Sequence, residues 1–325
     1  MNTTKNLILI ALILGLAIFI TVWKTNQAIK KVPSPPPVIK PELPPPPANY
    51  DISPLDQNKW LNYSEIVSLM KQWNKEAPEI TEFGIYGKTI NGTDCTFLRI
   101  GTPGKPKVLI HATIHGNEKT STGATLYMMQ RMLYEYGRDD EITWLVKNRD
   151  VYWIPVLSPD SYLKSRYVEG VDPNRDYPHP SRRNHQSVSP IKNIRAFHEL
   201  HRFKGVLSGH TWGSIYFWPS IGPKKDQEIH RNLTRKMSDL SGYDASRIGN
   251  APAGYEIDFY YWRGAVAFVT EFGTGGHNQP LSSIATHGHK NYDAYMLFIK
   301  ECPELADKLN PPSVCVSHTE DKRLE

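Results

Sequence analysis

The chain has 325 residues, 39% of them hydrophobic, with 38 Lys+Arg against 33 Asp+Glu for a formal net charge of +5, and 3 Cys. That length holds one large domain or two small ones with a self-sufficient core, and the charge is too mild and too scattered to suggest a nucleic-acid partner. Three cysteines exclude a disulfide-built scaffold, and the composition excludes both a disordered chain and a multi-spanning one.

Residues 7–23 read LILIALILGLAIFITVW, an uncharged run. At 1.5 Å per residue such a helix spans about 25 Å, close to the ~30 Å hydrocarbon core. No clear A-x-A cleavage site and no lipobox cysteine comes after it, so residues 1–31 are expected to be an uncleaved membrane anchor, with a cleaved signal as the alternative. Lys5 lies on one side and Lys24, Lys30 and Lys31 on the other. Taken strictly, the positive-inside rule leans against export of the C-terminal part of the chain. Residues 33–47 read PSPPPVIKPELPPPP. Proline at this density forms neither helix nor sheet and favours an extended polyproline II rod of about 45 Å. Residues 32–48 are therefore expected to be a stalk between membrane and domain; a disordered linker or a ligand for proline-recognising modules would read the same way. The stalk is weighed against the charge rule, and the domain is expected outside the cytoplasm, periplasmic if the source is bacterial.

From residue 49 to about 305 the composition is globular. Ile66, Leu69, Met70 and Trp73 recur at helical spacing, predicting a helix over 64–74. Strands are predicted over 96–100 and 107–113, a helix over 122–137 and a strand over 150–155. Next come a helix over 192–202, a strand over 205–209 and a helix over 224–241. A buried strand over 266–272 and a helix over 289–300 complete the pattern. Alternating strands and helices predict an α/β sandwich around a largely buried sheet. Residues 306–325 form a polar, proline-containing tail.

Chemistry first shows at His115-Gly116-Asn117-Glu118, just past the apolar run VLIHATI. An imidazole and a carboxylate three residues apart can turn to one cation, and zinc takes N and O donors while keeping a position open in catalytic sites. Alone, the motif is equally a capped turn with a surface Glu. A third ligand would have to be distant, and His210 ends the strand-like GVLSG; a lone histidine there is more often structural. Val171-Asp172-Pro173-Asn174-Arg175 is a polar loop whose Arg offers a planar fork suited to a carboxylate. The apolar run 265–270 delivers Glu271. Desolvation at the end of a buried strand would move a carboxyl towards general-base range, whereas a sheet-edge Glu would stay solvated.

These elements, in this order, resemble the zinc carboxypeptidase family of carboxypeptidase A- and B-like enzymes, in a bacterial-type member. The shared pattern is a His-x-x-Glu pair at His115 and Glu118, an Asn-Arg pair at Asn174 and Arg175, a later His at His210 and a late Glu at Glu271. Between them, Ser158-Pro159-Asp160-Ser161-Tyr162, the run HTWGSIYFWP from His210 and Ile257-Asp258-Phe259 are similar to family segments. The resemblance runs from about residue 63 to 300. It implies a three-layer α/β/α sandwich with a mixed, largely buried sheet. It implies one zinc per chain on His115, Glu118 and His210, with Glu271 as general base and Arg166 stabilising the oxyanion. It implies Asn174 and Arg175 as holders of a terminal carboxylate, and Asp172 as the acceptor orienting the first zinc histidine.

The sequence also departs from the family. Asn117 stands where digestive members carry Arg. The mobile capping Tyr has no clear counterpart in Gly249-Asn250-Ala251-Pro252, leaving Tyr255 as the nearby substitute. Ile257 falls at the position that sets side-chain preference and implies an apolar pocket. Arg182, Arg183 and His185 form a basic loop, either a solvated surface or an acidic-substrate contact. His287 and His289 pair with nothing in the zinc set. Cys302 and Cys315 either pair in an oxidising compartment or remain thiols, with Cys95 in a strand. The expected activity is a membrane-tethered metallocarboxypeptidase acting on peptides, with peptidoglycan stem peptides (muropeptides) as substrate because of the tether and stalk. A zinc deacylase of the succinylglutamate desuccinylase/aspartoacylase kind and a catalytically silent sugar- or peptide-binding domain are the alternatives.

Overall fold

The computed structural model of the chain describes residues 50–181, 187–249 and 253–312. The expected anchor, the proline-rich stalk, the loop bearing Arg182, Arg183 and His185, and Cys315 lie outside those residues. Among the described residues no helix is long and apolar enough to cross a membrane.

The strands are β1 (Thr81–Lys88), β2 (Asp94–Gly101), β3 (Lys107–Ala112), β4 (Asp150–Ile154), β5 (Gly205–His210), β6 (Ile215–Trp218), β7 (Asp244–Arg247) and β8 (Val266–Glu271). They form one sheet in the order β1-β2-β4-β3-β5-β8-β6-β7. Its centre, β4-β3-β5-β8, is parallel; β2 and β6 join it antiparallel, β1 pairs antiparallel with β2, and β7 pairs parallel with β6. A parallel centre has to be covered on both faces. The helices are α1 (Tyr63–Glu76), α2 (Lys119–Glu135), α3 (Asp140–Asn148), α4 (Ser189–His201), α5 (Lys224–Ser241), α6 (Glu256–Trp262) and α7 (Ser283–Ala306).

Alternation along the central strands builds two cores. In β3, Val108 and Ile110 face the core made with α1, α2, α3, α5 and α7, while Leu109 faces the one made with α4 and α6. In β8, Val266 and Phe268 go to the first, and Ala267 and Val269 to the second. The helices therefore cover both faces of the sheet, as the alternation of strands and helices predicts, and the sheet is mixed, as the resemblance implies.

The differences have local causes. The last helix starts at Ser283 rather than 289, under residues that read as polar. His287 joins the Tyr243 hydroxyl at 2.7 Å and Gln279 at 3.1 Å, and Gly288 leaves room for the Tyr127 ring. Strand β1, absent from the sequence reading, is an edge strand with weak alternation. Its Gly84 lies against the Phe97 ring and its Gly87 against Asn193. Helix α3 is short but capped, with the Asp139 side chain accepting from Ile142 N–H at 2.9 Å. Cys95 and Cys302 are buried and form no disulfide among the described residues.

Helix α1 is held by a reciprocal capping box between Asn62 and Glu65, and by Trp73, which is fully buried with its indole N–H on Ser53 O at 2.9 Å. Trp73→Ala removes both the ring and that bond, and is expected to cost about 3–5 kcal/mol, read as a lower denaturant midpoint at unchanged slope.

Candidate active site

Three parallel strands end at one place. Glu271 closes β8 and is the register partner of His210, which closes β5. Next to β5, β3 ends at Ala112 and the chain turns through His115 and Gly116 into α2, whose N-cap is Glu118. The turn requires glycine at 116, because a Cβ there would collide with the backbone carbonyl of Ser161. In open α/β sheets the crevice beyond the carboxyl ends of the strands is the usual place for a ligand.

Glu118 lies at the centre of the site, 1% exposed. His115 Nδ1 is 2.9 Å from its Oε1 and His210 Nδ1 is 3.0 Å from its Oε2, with the Thr211 N–H on Oε2 at 3.2 Å. The outer nitrogens of both imidazoles also meet carboxylates. His115 Nε2 is 2.9 Å from Asp172 Oδ1, and His210 Nε2 is 2.7 Å from Glu256 Oε1. Asp172 further accepts Arg166 through Nε at 3.2 Å and Nη2 at 3.0 Å, and the Asn174 N–H at 3.0 Å. Arg166 Nη1 stands 3.6 Å from Glu118.

The environment divides these carboxylates. Burial would raise Glu118, but the charge of His210 and the bonds from both imidazoles outweigh it and hold the carboxyl well below its usual range. Burial also opposes ionisation of Asp172, and there the bond and charge of His115 and the Arg166 guanidinium prevail. His210 is raised well above the ordinary imidazole value, because Glu118 and Glu256 overcome its burial. Glu271 goes the other way: burial pushes it up to about 7, with His210 opposing. Its Oε2 is buried and has no hydrogen-bond partner among the described residues.

His115, Glu118 and His210 each offer one ligand atom, all within 4.8 Å of one another and all on buried side chains. Two imidazole nitrogens and one carboxylate oxygen, with their outer nitrogens already oriented by carboxylates, fit zinc and the orienting shell such a site needs. The orphaned Glu271 oxygen fits a site in which a further group would sit beside them.

A cavity of about 170 Å³ opens here. It is lined by His115, Glu118, His210, Glu271, Arg166, Asn174, Arg175 and Tyr255, all expected site residues, joined by Thr211 and Trp212. Asp172 stands behind His115. Arg175 Nη1 donates to Asn174 O at 2.7 Å, and its guanidinium lies 5.3 Å from the Tyr255 ring centroid. Ile257 is not brought to the cavity: it is 1% exposed and packed in the core with α4 and α6. The sequence reading missed Glu256, which precedes it, and His277, whose Nδ1 meets the Thr211 hydroxyl at 2.9 Å and lies 3.8 Å from Glu118. An acid before an apolar helical run looks like an ordinary exposed first-turn residue, and His277 comes after a glycine-rich turn with no spacing to tie it to the metal set. A larger hollow of about 370 Å³ lies at the opposite end of β3 and β5, lined by Lys107, Arg202 and Pro303 among others. It holds none of these site residues.

Similarity to known proteins agrees with this geometry. Metallocarboxypeptidase A of Trichophyton tonsurans is 23% identical over 228 residues, covering 56% of this chain and 54% of that protein. Carboxypeptidase A4 of Mus musculus is 24% identical over 250 residues, covering 62% and 59%. The chain spans about half the length of these curated relatives. Among solved structures, carboxypeptidase A from Helicoverpa armigera superposes with a TM-score of 0.67 at 19% identity, covering 80% of this chain and 77% of that one. A metallo-carboxypeptidase from Burkholderia cenocepacia gives 0.61 at 13% identity, covering 74% and 70%. The zinc carboxypeptidase family model matches residues 66–292, a stretch that contains every side chain of the cavity, and the chain belongs to that family.

Proposed function

We propose that the protein is a zinc-dependent metallocarboxypeptidase that removes a C-terminal residue, with Glu271 as general base. The observation that carries this reading is the convergence of Glu271 with His115, Glu118 and His210 on one cavity whose wall holds Arg175. Zinc held by His115, Glu118 and His210 would supply a Lewis acid for the scissile carbonyl and lower the pKa of water towards 7.

The protein side chains supply the rest. Glu271 takes a proton from the attacking water as its oxygen bonds to the carbonyl carbon. It then gives that proton to the amine nitrogen as the C–N bond breaks. Arg166 offers a fixed cation to the negative charge that develops on the carbonyl oxygen. Asn174 and Arg175 hold the terminal carboxylate, which restricts cleavage to chain ends. Asp172 keeps His115 in the tautomer that directs Nδ1 inward.

The membrane and substrate parts of the proposal rest on the sequence. The apolar run at 7–23 and the proline-rich run at 33–47 support a tether and a spacer. On this reading the domain works outside the cytoplasm, with peptidoglycan stem peptides as substrate. Digests of purified muropeptides and of a C-terminally varied L-peptide pool, read by mass spectrometry, test this. Loss of one terminal residue from a muropeptide is expected; trimming confined to L-peptides would move the substrate to ordinary protein C-termini.

Glu271→Gln is expected to lower kcat by about 10²–10⁴-fold while zinc content stays at the wild-type level. Arg175→Ala is expected to raise KM far more than it lowers kcat, as measured with free-carboxylate peptides. Titration supplies a third check. Glu271 is raised in the folded state from an ordinary value near 4.5 to about 7. The folded metal-free protein therefore holds this proton more tightly than the unfolded chain does. Between those values stability falls as pH rises, by about 3 kcal/mol in total. In metal-free protein, Glu271→Gln should raise the melting temperature at pH 8 and leave it unchanged near pH 4.

A further inference from the structure

Glu256 opens α6, and its side chain is fully buried. Its Oε1 meets His210 Nε2 at 2.7 Å. The amide of Asn174 is clasped to the same residue at two points: Nδ2 reaches Oε1 at 3.4 Å, and Oδ1 accepts the Glu256 backbone N–H at 3.1 Å. Among the described residues Oε2 has no hydrogen-bond partner; it lies 3.6 Å from His111 Nε2, on another fully buried side chain. The far nitrogen of His111 reaches Ser208 Oγ at 3.4 Å.

A residue needed only to fill this space would be apolar. Withdrawing a carboxylate from water costs several kcal/mol unless partners compensate, and here one oxygen is left without a hydrogen bond. What the carboxylate does secure is the state of His210. A hydrogen-bonded carboxylate on one ring nitrogen fixes a proton there, so that in the neutral ring that a metal ligates, the lone pair lies on the other. For His210 the occupied nitrogen is Nε2, and the nitrogen left for a ligand is Nδ1, the one that faces Glu118. His115 is held in the same way by Asp172, but that carboxylate is shared with Arg166 and partly exposed. Glu256 is instead shared with Asn174, on the substrate wall of the cavity.

We propose that Glu256 is a positioning residue with two outputs: it holds His210 in the tautomer and orientation that bind zinc, and through Asn174 it sets the wall that receives the substrate's carboxylate. The proposal rests on the zinc carboxypeptidase reading and adds a coupling between the metal ligand and the substrate wall.

The test uses the purified holoenzyme and its Glu256→Gln variant. Zinc dissociation constants come from competition with a chromophoric chelator. Affinity for a hydrolysis-resistant dipeptide with a free carboxyl terminus is measured on zinc-saturated protein, with the C-terminally amidated dipeptide as control. Glu256→Gln is expected to weaken zinc by about 10–100-fold. It is also expected to weaken the free-carboxylate dipeptide relative to the amidated one, with secondary structure unchanged by circular dichroism. If Glu256→Gln does not fold, Glu256→Asp decides the matter, because it keeps the charge but withdraws it from His210; the same two losses are expected. Zinc affinity within twofold of wild type would overturn the positioning role while leaving the metallocarboxypeptidase reading intact. Weakened zinc with unchanged dipeptide discrimination would overturn the coupling to Asn174. A wild-type protein that takes up no zinc at this site would overturn both readings.

Discussion

The structure turns on one buried carboxylate. Glu118 is almost wholly removed from water at the N-terminus of a helix, and an isolated charge there would be strongly unfavourable. It is held by two imidazoles that come from the ends of different strands, and by a backbone N–H just past one of them. For those groups to meet, β3 and β5 must be adjacent, parallel and in the observed register. The parallel centre of the sheet and the two helical layers that cover it are what make this possible.

Around that centre, carboxylates alternate with imidazoles. Glu118 is flanked by His115 and His210, and these are backed by Asp172 and Glu256. Arg166 closes one side. Carboxylates inside this alternation stay ionised despite burial, Glu256 included, where the charge of His210 prevails over desolvation. Glu271 has no such cationic partner in direct contact among the described residues, and desolvation dominates it. Divergent environments for neighbouring carboxyls are the usual way in which one site assigns ligand and proton-transfer roles to the same functional group.

Much of this was legible in the sequence, for identifiable reasons. The helix over 224–241 has a strong apolar stripe on an otherwise polar surface, and its predicted ends coincide with those of α5. His210 and Glu271 were legible because each closes an apolar strand, and His115 and Glu118 because they lie in the turn that follows one; strand ends in this architecture share one edge. Local periodicity does not encode edge strands and short helices. β1 is interrupted by glycines, and α6 is only seven residues long, almost all buried, so it shows no two-sided pattern. In that helix the sequence singles out Ile257, which packs in the core, but gives no sign of Glu256 beside it. Neighbouring positions on a helix point about 100° apart, and nothing in the sequence shows which one faces the metal ligands.

The most direct test of the account is the position of a metal in crystals of the protein grown with zinc, located by anomalous diffraction on both sides of the zinc edge. One strong peak per chain is expected, bound by Nδ1 of His115, Nδ1 of His210 and the Glu118 carboxylate, with Asp172 and Glu256 still on the outer nitrogens. No peak at these residues, or zinc bound elsewhere with the Glu118–imidazole contacts intact, would contradict it.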